Sequence, residues 1–243
     1  MQFLGSLVFN VLMWLWMLVF AFTYCVVTPF MPFRARFWLA GVMTRVIFFK
    51  LKWLCGLTYT VEGRENLPAG ANVIFMKHSS TWETFAIMIL FPPLVWVMKR
   101  EILFIPFVGW GCVLARCIAI DRKAGASAVN QVLKQGKDRM ERLGASVMVF
   151  PEGTRMAPGE TRRYGSSGTL LAAQQGCKIV PVAHNAGYFW PRRGVLKKRG
   201  VIRVVIGPPI EAAGRDARQV NDEVQAWIER HVEDPRARPA ATR

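Results

Sequence analysis

The chain has 243 residues, 52% of them hydrophobic, and a formal net charge of +16, so it can form one sizeable domain with a short appendage. A basic protein raises the question of a nucleic-acid partner, but no recognisable RNA- or DNA-binding motif accompanies the charge, and none is expected as a partner. Anionic lipid headgroups, a phosphorylated substrate or an acidic carrier explain the charge more simply. The five cysteines form neither a C-x-x-C pair nor a zinc-like set, which suits a reducing compartment.

The charged residues are unevenly distributed. Met1 to Phe33 contains no Asp, Glu, Lys or Arg, and its apolar run exceeds the ~20 residues that a membrane-spanning helix needs. Pro29 and Pro32 mark the expected end of that helix. A cleaved signal peptide and a buried core helix are the alternatives, but the run lacks a basic start and a small-residue cleavage site. The sequence therefore predicts an apolar membrane anchor followed by a basic, water-facing body.

Basic residues follow the apolar run closely, at positions 34, 36, 45, 50 and 52. By the positive-inside rule, they place the rest of the chain on the cytoplasmic side. Residues 37–58 are rich in aromatic side chains but interrupted by charge, so we expect a second helix that lies in the membrane interface. These patterns divide the chain into an anchor over 1–58, a folded domain over 59–234 and a disordered tail over 235–243.

Short β-rich runs alternate with helical runs after the anchor. Apolar residues at helical spacing predict one helix that ends at Gly144 and another that contains Val220 to Val232. Strands alternating with helices predict an α/β fold, with a largely parallel sheet flanked by helices. The strand candidates are LTYTVEG (57–63), NVIFMK (72–77), LVWVMK (94–99), CIAID (117–121), SVMVF (146–150), KIVPVA (178–183) and VIRVVIG (201–207).

The segment MKHSSTWETF (76–85) contains the first group of residues that could carry chemistry. Ser80 and Glu83 have the spacing of a helix capping box. His78 and Glu83 would not face each other in a regular helix, but they can meet if His78 lies in the loop before the helix. A carboxylate on one ring nitrogen would leave the other free to accept a proton. Capping and catalysis both remain open for Glu83.

The segment FPEGTR (150–155) follows a predicted strand and could bind an anion. Gly153 allows close backbone approach, and Thr154 and Arg155 offer donors for phosphate oxygens. Glu152 could orient Arg155 or accept a hydrogen bond from a substrate hydroxyl. A plain turn has the same composition, so this pattern alone leaves both interpretations open.

Two further basic residues lie at the ends of predicted strands. Lys99 precedes the Pro- and Gly-broken apolar segment IPFVGWG (105–111), which is either a buried loop or a membrane-facing lip that admits an acyl chain. Arg122 follows CIAID and is another phosphate candidate. The chain has no G-x-S-x-G or H-E-x-x-H motif, and His184, at a strand end, is expected to be structural.

Together these segments resemble the glycerolipid acyltransferases. HSSTWE, KREILFIPFVGWG, IAIDR, FPEGTR and KIVPV occur in the order and spacing of that family's four sequence blocks, from about residue 60 to 210. The bacterial 1-acyl-sn-glycerol-3-phosphate acyltransferases are the most similar members. Four ordered blocks are a specific signal, whereas no single block would be.

The resemblance implies a bacterial inner-membrane enzyme whose catalytic domain faces the cytoplasm. It would transfer an acyl chain from acyl-CoA or acyl-carrier protein to the sn-2 hydroxyl of lysophosphatidate, with no metal or other cofactor. Another lysolipid or glycerol 3-phosphate is the alternative acceptor. The carboxylate in the first block is Glu here, whereas Asp is commoner in the family. The site residues implied are His78 as general base with Glu83 as its partner, Lys99, Arg122, Glu152, Gly153, Thr154 and Arg155 around the acceptor phosphate, and Val180 and Pro181 beside the donor.

Overall fold

The computed structural model describes residues 1–232; the predicted tail, 235–243, lies outside the described residues. Helices and strands alternate along the domain, as predicted. In chain order they are α1 (Gln2–Val27), α2 (Phe33–Cys55), β1 (Leu57–Glu62), β2 (Val73–Met76), α3 (Trp82–Leu90), β3 (Leu94–Lys99), α4 (Val108–Leu114), β4 (Ile118–Ile120), α5 (Ala126–Leu143), β5 (Ser146–Val149), α6 (Ser167–Gln175), β6 (Lys178–His184), α7 (Ala186–Phe189), β7 (Gly200–Ile206), β8 (Ile210–Glu211) and α8 (Ala217–Val232).

The strands form one sheet in the order β1-β7-β6-β2-β5-β3-β4, with β8 also paired to β6. Neighbouring strands are parallel except where β6 pairs with β7 and β8. The predicted largely parallel α/β fold is therefore confirmed, and all seven predicted strands are present. The short strand β8 was not predicted, because two residues are too few to show a strand pattern.

Both faces of the sheet are covered by helices. Along β2, Ile74 and Met76 point into an apolar cluster shared with α1, α2 and α3. Val73 and Phe75 point to the opposite face, into a cluster shared with α5, α6 and α8. Because both faces are buried, the central strands are continuously apolar rather than alternating.

The carboxyl ends of four neighbouring strands lie along one edge of the sheet. β2, β5, β3 and β4 are neighbours and run parallel. The loop that contains His78 follows β2, FPEGTR follows β5, Lys99 ends β3 and Arg122 follows β4. The topology therefore brings these predicted site residues together, at the edge where ligands bind in open α/β sheets.

Helix α1 is the one helix in residues 1–232 that is long and apolar enough to cross a membrane. Many of its large apolar side chains are exposed, including Leu4, Trp14 and Leu18, each more than 60%. Nevertheless, both of its ends contact the folded domain. Gln2 donates to the carbonyl of Lys197 near one end, and the ring of Phe22 packs against Phe107 at the other. The helix therefore lies along the surface of the domain.

Helix α2 returns antiparallel to α1 and packs between α1 and the domain. Its Ile47 and Leu51 are buried in the shared apolar cluster, and the Thr44 hydroxyl donates to the carbonyl of Phe85 in α3, at 3.2 Å. On its other side, Trp38 and Trp53 are 60% and 69% exposed. The predicted second helix thus has one face in the protein core and exposed aromatic side chains elsewhere.

Candidate active site

His78 and Glu83 are in direct contact at the carboxyl end of β2. His78 lies in the loop before α3, and Glu83 lies in the first turn of that helix. The Nδ1–H of His78 donates to Oε1 of Glu83 at 2.9 Å. This contact fixes the tautomer of the ring, so Nε2 carries a lone pair and can accept a proton. The side chain of Glu83 is fully buried, whereas that of His78 is 11% exposed.

Glu83 also closes the loop that precedes its own helix. Its Oε1 accepts from the backbone N–H groups of Ser79 and Ser80, at 2.9 and 2.7 Å. The Ser80 hydroxyl accepts from the N–H of Trp82 and donates to the carbonyl of Trp190. One carboxylate oxygen therefore makes the glutamate contact of a capping box and holds the histidine ring. The structure thus contains both contacts that the sequence allowed, one to the backbone before the helix and one to the His78 ring.

The environment of Glu83 favours its ionised form. Burial by itself raises the pKa of Glu83, but nearby His184 and the hydrogen bonds from His78 and Ser80 lower it below its usual value overall. Within residues 1–232, Oε2 of Glu83 is buried without a hydrogen-bond partner. The carboxylate therefore places a negative charge beside the His78 ring at neutral pH.

His184 supports the backbone of the same loop. Its Nε2–H donates to the carbonyl of Lys77 at 2.8 Å, and its Nδ1 accepts from the N–H of Ala186 at 3.2 Å. Burial lowers the pKa of His184, so the ring is neutral. These contacts fit the structural role expected from the sequence.

The loop after β5 packs on the other side of His78. The ring of Phe150 stacks on the imidazole, with centroids 4.2 Å apart. The carbonyl of His78 accepts from the N–H of Met156 at 2.8 Å. The imidazole is thus held by a carboxylate at Nδ1 and by an aromatic face, with Nε2 as its free nitrogen.

Behind the loop that contains His78 lies a buried network of charged groups that the sequence did not predict. Lys77 is 1% exposed, and its Nζ donates to both carboxylate oxygens of Glu229 in α8, at 2.7 and 2.8 Å. It also donates to the carbonyl of Glu160 and forms an ion pair with Oε1 of Glu152 at 2.9 Å. The Tyr164 hydroxyl donates to Glu229. The network joins β2, the FPEGTR loop and α8.

Glu152 belongs to this network and does not line the substrate cavity described below. Its Oε2 accepts from the backbone N–H of His78 at 3.0 Å, and its Oε1 faces Lys77. Burial raises the pKa of Glu152 to about 7, although Lys77 opposes the shift. The sequence predicted contact with Arg155 or with the substrate, but no hydrogen bond or ion pair between Glu152 and Arg155 is found in residues 1–232. The carboxylate instead supports the backbone at His78.

Arg155 and Arg122 converge on the space in front of His78. Both line one cavity together with His78 and Lys99. The guanidinium of Arg122 donates to the carbonyl of Gly153, whose φ of +69° is a conformation that favours glycine. Burial lowers the pKa of Arg155, but an arginine stays protonated at neutral pH. Lys99 pairs with Glu101 at 3.3 Å and is about half exposed. The three cations and His78 therefore line the same cavity.

The rest of the cavity wall is mostly apolar, and the two N-terminal helices form part of it. The cavity has a volume of about 410 Å³, within the usual range for a small-molecule site. Helices α1 and α2 contribute Trp14, Phe20 and Met43, and the segment 105–111 contributes Phe107 and Val108. Phe104 and Trp110 of the same region are 79% and 53% exposed. A polar end and an apolar wall therefore meet at His78.

Three other predicted site residues lie outside the wall of this cavity. Thr154 lies between Gly153 and Arg155 and does not line the cavity. Val180 and Pro181 lie inside β6, where Val180 is completely buried and Pro181 is opposite Phe75. Neither lines the cavity, so their place beside a donor stays a prediction.

The sequence reasoning missed Lys77 and Glu229. Lys77 could have been noticed from the sequence, because it ends an otherwise apolar buried strand, but Glu229 carries no local signal.

The raised pKa of Glu152 predicts a pH dependence of stability. A folded-state pKa of about 7, against 4.5 for the free side chain, means that the folded protein holds this proton more tightly than the unfolded chain. The stabilisation is present below the unfolded pKa and is lost as the pH rises through about 7. Between pH 5 and 8, the Tm of the wild type in detergent should therefore fall relative to that of Glu152→Gln. A Tm difference between the wild type and Glu152→Gln that stays the same at all pH values would contradict this. Glu141→Gln, on the exposed face of α5, is the control and should follow the wild type.

Comparison with known proteins shows that the chain is similar to acyltransferases. The chain matches the Acyltransferase family over residues 58–185. A 1-acyl-sn-glycerol-3-phosphate acyltransferase of Pseudomonas aeruginosa is 41% identical over 206 residues, covering 83% of this chain and 80% of that protein. A protein of the same name from Borreliella burgdorferi is 30% identical over 176 residues, covering 71% and 70%.

The fold is also shared with a solved structure. The crystal structure of the 1-acyl-sn-glycerophosphate acyltransferase PlsC from Thermotoga maritima matches with a TM-score of 0.80, over 98% of both chains, at 19% identity. The likeness therefore includes the two N-terminal helices. The family match contains the β2 loop with His78 and Glu83 and the β5 loop with Arg155. This chain belongs to the Acyltransferase family.

Proposed function

We propose that this protein transfers an acyl chain from an acyl thioester to the sn-2 hydroxyl of 1-acyl-sn-glycerol 3-phosphate, giving phosphatidate. The observation that carries the proposal is the position of the His78–Glu83 pair. It lies where a cavity with an apolar wall meets the guanidinium groups of Arg122 and Arg155. A base, an anion site and a hydrocarbon site are the three elements that this reaction needs. The names of the relatives support the same acceptor.

In the proposed mechanism, His78 acts as a general base. Its Nε2 accepts the proton of the acceptor hydroxyl while the oxygen attacks the thioester carbonyl, which forms the new ester C–O bond. Breaking the C–S bond releases a thiolate, and the imidazolium returns the proton to that sulfur. Glu83 stabilises the imidazolium and holds the ring orientation. A positioned general base contributes ~10²–10⁴-fold to such a reaction.

The acceptor phosphate is assigned to the cationic end of the cavity. Arg155 is partly buried and faces the same space as Nε2 of His78, so a phosphate that it binds would place the neighbouring glycerol hydroxyl near the base. Arg122 and Lys99 add positive charge to the same end. Planar guanidinium groups bind phosphate oxygens with two parallel hydrogen bonds, which fixes orientation as well as distance.

The acyl chain is assigned to the apolar wall formed by α1, α2 and the residues around Phe107. Because α1 exposes apolar side chains on one side and lines the cavity on the other, an acyl chain could pass from the lipid to the site with little exposure to water. The thioester donor is acyl-CoA or acyl-carrier protein. Initial rates with lysophosphatidate, glycerol 3-phosphate and neutral lysolipids, each paired with both donors, test the assignment. Turnover only with a neutral lysolipid would refute the phosphate site.

Membrane association follows from the same helix. Since both ends of α1 contact the folded domain, the helix would enter the membrane from the side of the domain, with its exposed apolar face in one leaflet. The bacterial inner membrane, with the domain on the cytoplasmic side, is the proposed location. The positive charge after residue 33 suits the anionic surface of the cytoplasmic leaflet.

Glu83→Gln separates the two roles of Glu83. A capping box accepts Gln, and the amide oxygen can still accept from Ser79 and Ser80, so the Tm should change little. The charge beside the imidazole is lost, so kcat should fall roughly 10²–10³-fold, less than the ~10⁴ of the corresponding change in a serine-protease triad.

Ser80→Ala is the matched control for capping. It removes the hydroxyl that accepts from Trp82 and should cost about 1 kcal/mol of stability with activity largely kept. Near-normal turnover of Glu83→Gln, together with a merely destabilised Glu83→Ala, would show that His78 works without a carboxylate partner.

Arg155→Ala tests the phosphate assignment. The loss of a charge-assisted hydrogen bond at a partly buried site should raise the KM for a phosphorylated acceptor by roughly 10–100-fold. The KM for the thioester donor should change much less. Steady-state kinetics with each substrate varied in turn distinguish the two, and an effect on the donor alone would reverse the assignment. Arg142→Ala, on the exposed face of α5, is the control.

Charges on the exposed face of α1 test membrane insertion. Leu4 and Leu18 are 64% and 61% exposed, so Leu4→Glu with Leu18→Glu should leave the packing intact but oppose insertion, because a charged side chain is costly in the hydrocarbon region. The wild type should stay in the membrane fraction after an alkaline carbonate wash, and the variant should be released. Asn130→Glu with Gln219→Glu, on exposed positions of α5 and α8, should behave as the wild type. Release of the wild type itself would refute insertion.

A further inference from the structure

The segment between α7 and β7, residues 190–199, is the most basic surface loop next to α1, and we call it the basic loop. Its sequence is WPRRGVLKKR, and no Asp or Glu occurs between residues 161 and 210. Four of its five basic side chains are exposed, and within residues 1–232 none of these four forms an ion pair with a carboxylate. They are Arg192, Arg193, Lys198 and Arg199.

The basic loop is fixed to a polar stripe on the otherwise apolar helix α1. The Ser6 hydroxyl accepts from the N–H of Lys197 at 3.0 Å. Gln2 donates to the carbonyl of Lys197 at 2.5 Å, and Asn10 donates to the carbonyl of Val195 at 3.0 Å. Residues 2, 6 and 10 are four apart and so share one helix face. The three polar side chains in the first part of the helix therefore hold this loop.

Lys197 is the one basic residue of the loop whose side chain is buried, and it binds the loop to α1. Its side chain is buried, and Nζ donates to Asn10 Oδ1 at 2.6 Å. The ammonium lies 5.8 Å from the ring centroid of Phe9 and 5.0 Å from that of Trp190. Burial lowers the pKa of Lys197 to about 8. The lysine is occupied inside the protein, which leaves the other basic residues of the loop to face outward.

The tip of the basic loop is apolar and lies beside the exposed face of α1. Val195 and Leu196 are 39% and 38% exposed, and Phe3 and Leu4 of α1 are 62% and 64% exposed. Cations therefore flank apolar side chains that continue an exposed apolar helix. A surface with apolar side chains at its centre and cations at its rim is suited to an anionic lipid surface, where hydrocarbon and headgroup lie in successive layers.

The basic loop also contacts the loop between β2 and α3, residues 77–81, which contains His78 and which we call the catalytic loop. Trp190 accepts a hydrogen bond from the Ser80 hydroxyl at 2.6 Å, and Pro191 forms a β-bridge with Ser80. Arg192 donates to the carbonyl of Arg155 at 3.3 Å. A contact at the exposed side of the loop is thus only a few residues from His78 and Arg155.

We propose that the basic loop is a binding site for anionic lipid headgroups, formed by Arg193, Lys198 and Arg199 around the apolar tip. It binds the surface of the leaflet into which α1 inserts, and it holds the adjoining catalytic loop at the level of the headgroups. This inference rests on the proposed membrane insertion of α1. The apolar tip and the fastening to α1 favour a lipid surface over an acidic carrier protein as the partner.

Lipid selectivity of the inserted protein tests the proposal. The full chain is reconstituted in phosphatidylcholine with trace spin-labelled phosphatidylglycerol or spin-labelled phosphatidylcholine, and electron paramagnetic resonance gives the ratio of their association constants. We expect the wild type to prefer the anionic lipid, and the preference to weaken in about 1 M salt, where charges are screened within about 3 Å. Each cation in contact with a headgroup should contribute about fivefold to local binding.

The informative variant combines Arg193→Gln, Lys198→Gln and Arg199→Gln, and its ratio should fall towards unity. Because Arg199 packs near Gly56, the pair Arg193→Gln and Lys198→Gln serves as a second variant that leaves this packing unchanged. The matched control is Lys134→Gln, Arg218→Gln and Arg230→Gln, which removes the same charge from exposed positions on α5 and α8, on the opposite face of the sheet. The control should keep the wild-type ratio.

The remaining outcomes overturn the proposal in distinguishable ways. An unchanged ratio in the loop variants, or an equal fall in the control, would show that the loop is not the site. An unchanged lipid ratio with a raised KM for acyl-carrier protein would make the loop a carrier-binding surface. If neither spin-labelled lipid is motionally restricted by the wild type, α1 is not inserted, and the proposed membrane association fails together with this inference.

Discussion

The fully buried carboxylate of Glu83 is the constraint on which the loop that contains His78 depends. A buried charge is costly unless hydrogen bonds compensate for its lost hydration. Here one oxygen accepts from the backbone of Ser79 and Ser80 and from the ring of His78. The loop must therefore close tightly on the first turn of α3, and closing it orients the imidazole. The contacts that stabilise the fold at this point therefore also fix the orientation of the His78 ring.

A second buried charge acts from behind the loop. Lys77 needs anionic partners because it is almost completely buried, and it finds them in Glu229 of α8 and Glu152 of the β5 loop. Glu152 then accepts from the backbone N–H of His78. The C-terminal helix is thus connected to His78 through two charged side chains, although it contributes no residue to the cavity wall.

Local signals account for the parts of the molecule that the sequence predicted. The strands are continuous apolar runs, the helix that ends at Gly144 has one apolar face, and His78 and Glu83 are only five residues apart, so short patterns suffice. Lys77 and Glu229 are 152 residues apart, and a charged residue on α8 looks like any other until the fold is known. Glu152 shows a subtler limit, because a carboxylate at a strand end suits both a substrate contact and a buried ion pair, and only its burial decides between them.

The composition of α1 predicted a membrane anchor, but it could not give the direction of the helix relative to the domain. That direction depends on Gln2, Ser6 and Asn10, which are too few to alter the average hydropathy yet fix one end of the helix to the domain. With Phe22 held at the other end, the helix must lie beside the site instead of extending away from it. The anchor consequently forms part of the cavity wall, so the same apolar surface that would enter the lipid also shapes the space in front of His78.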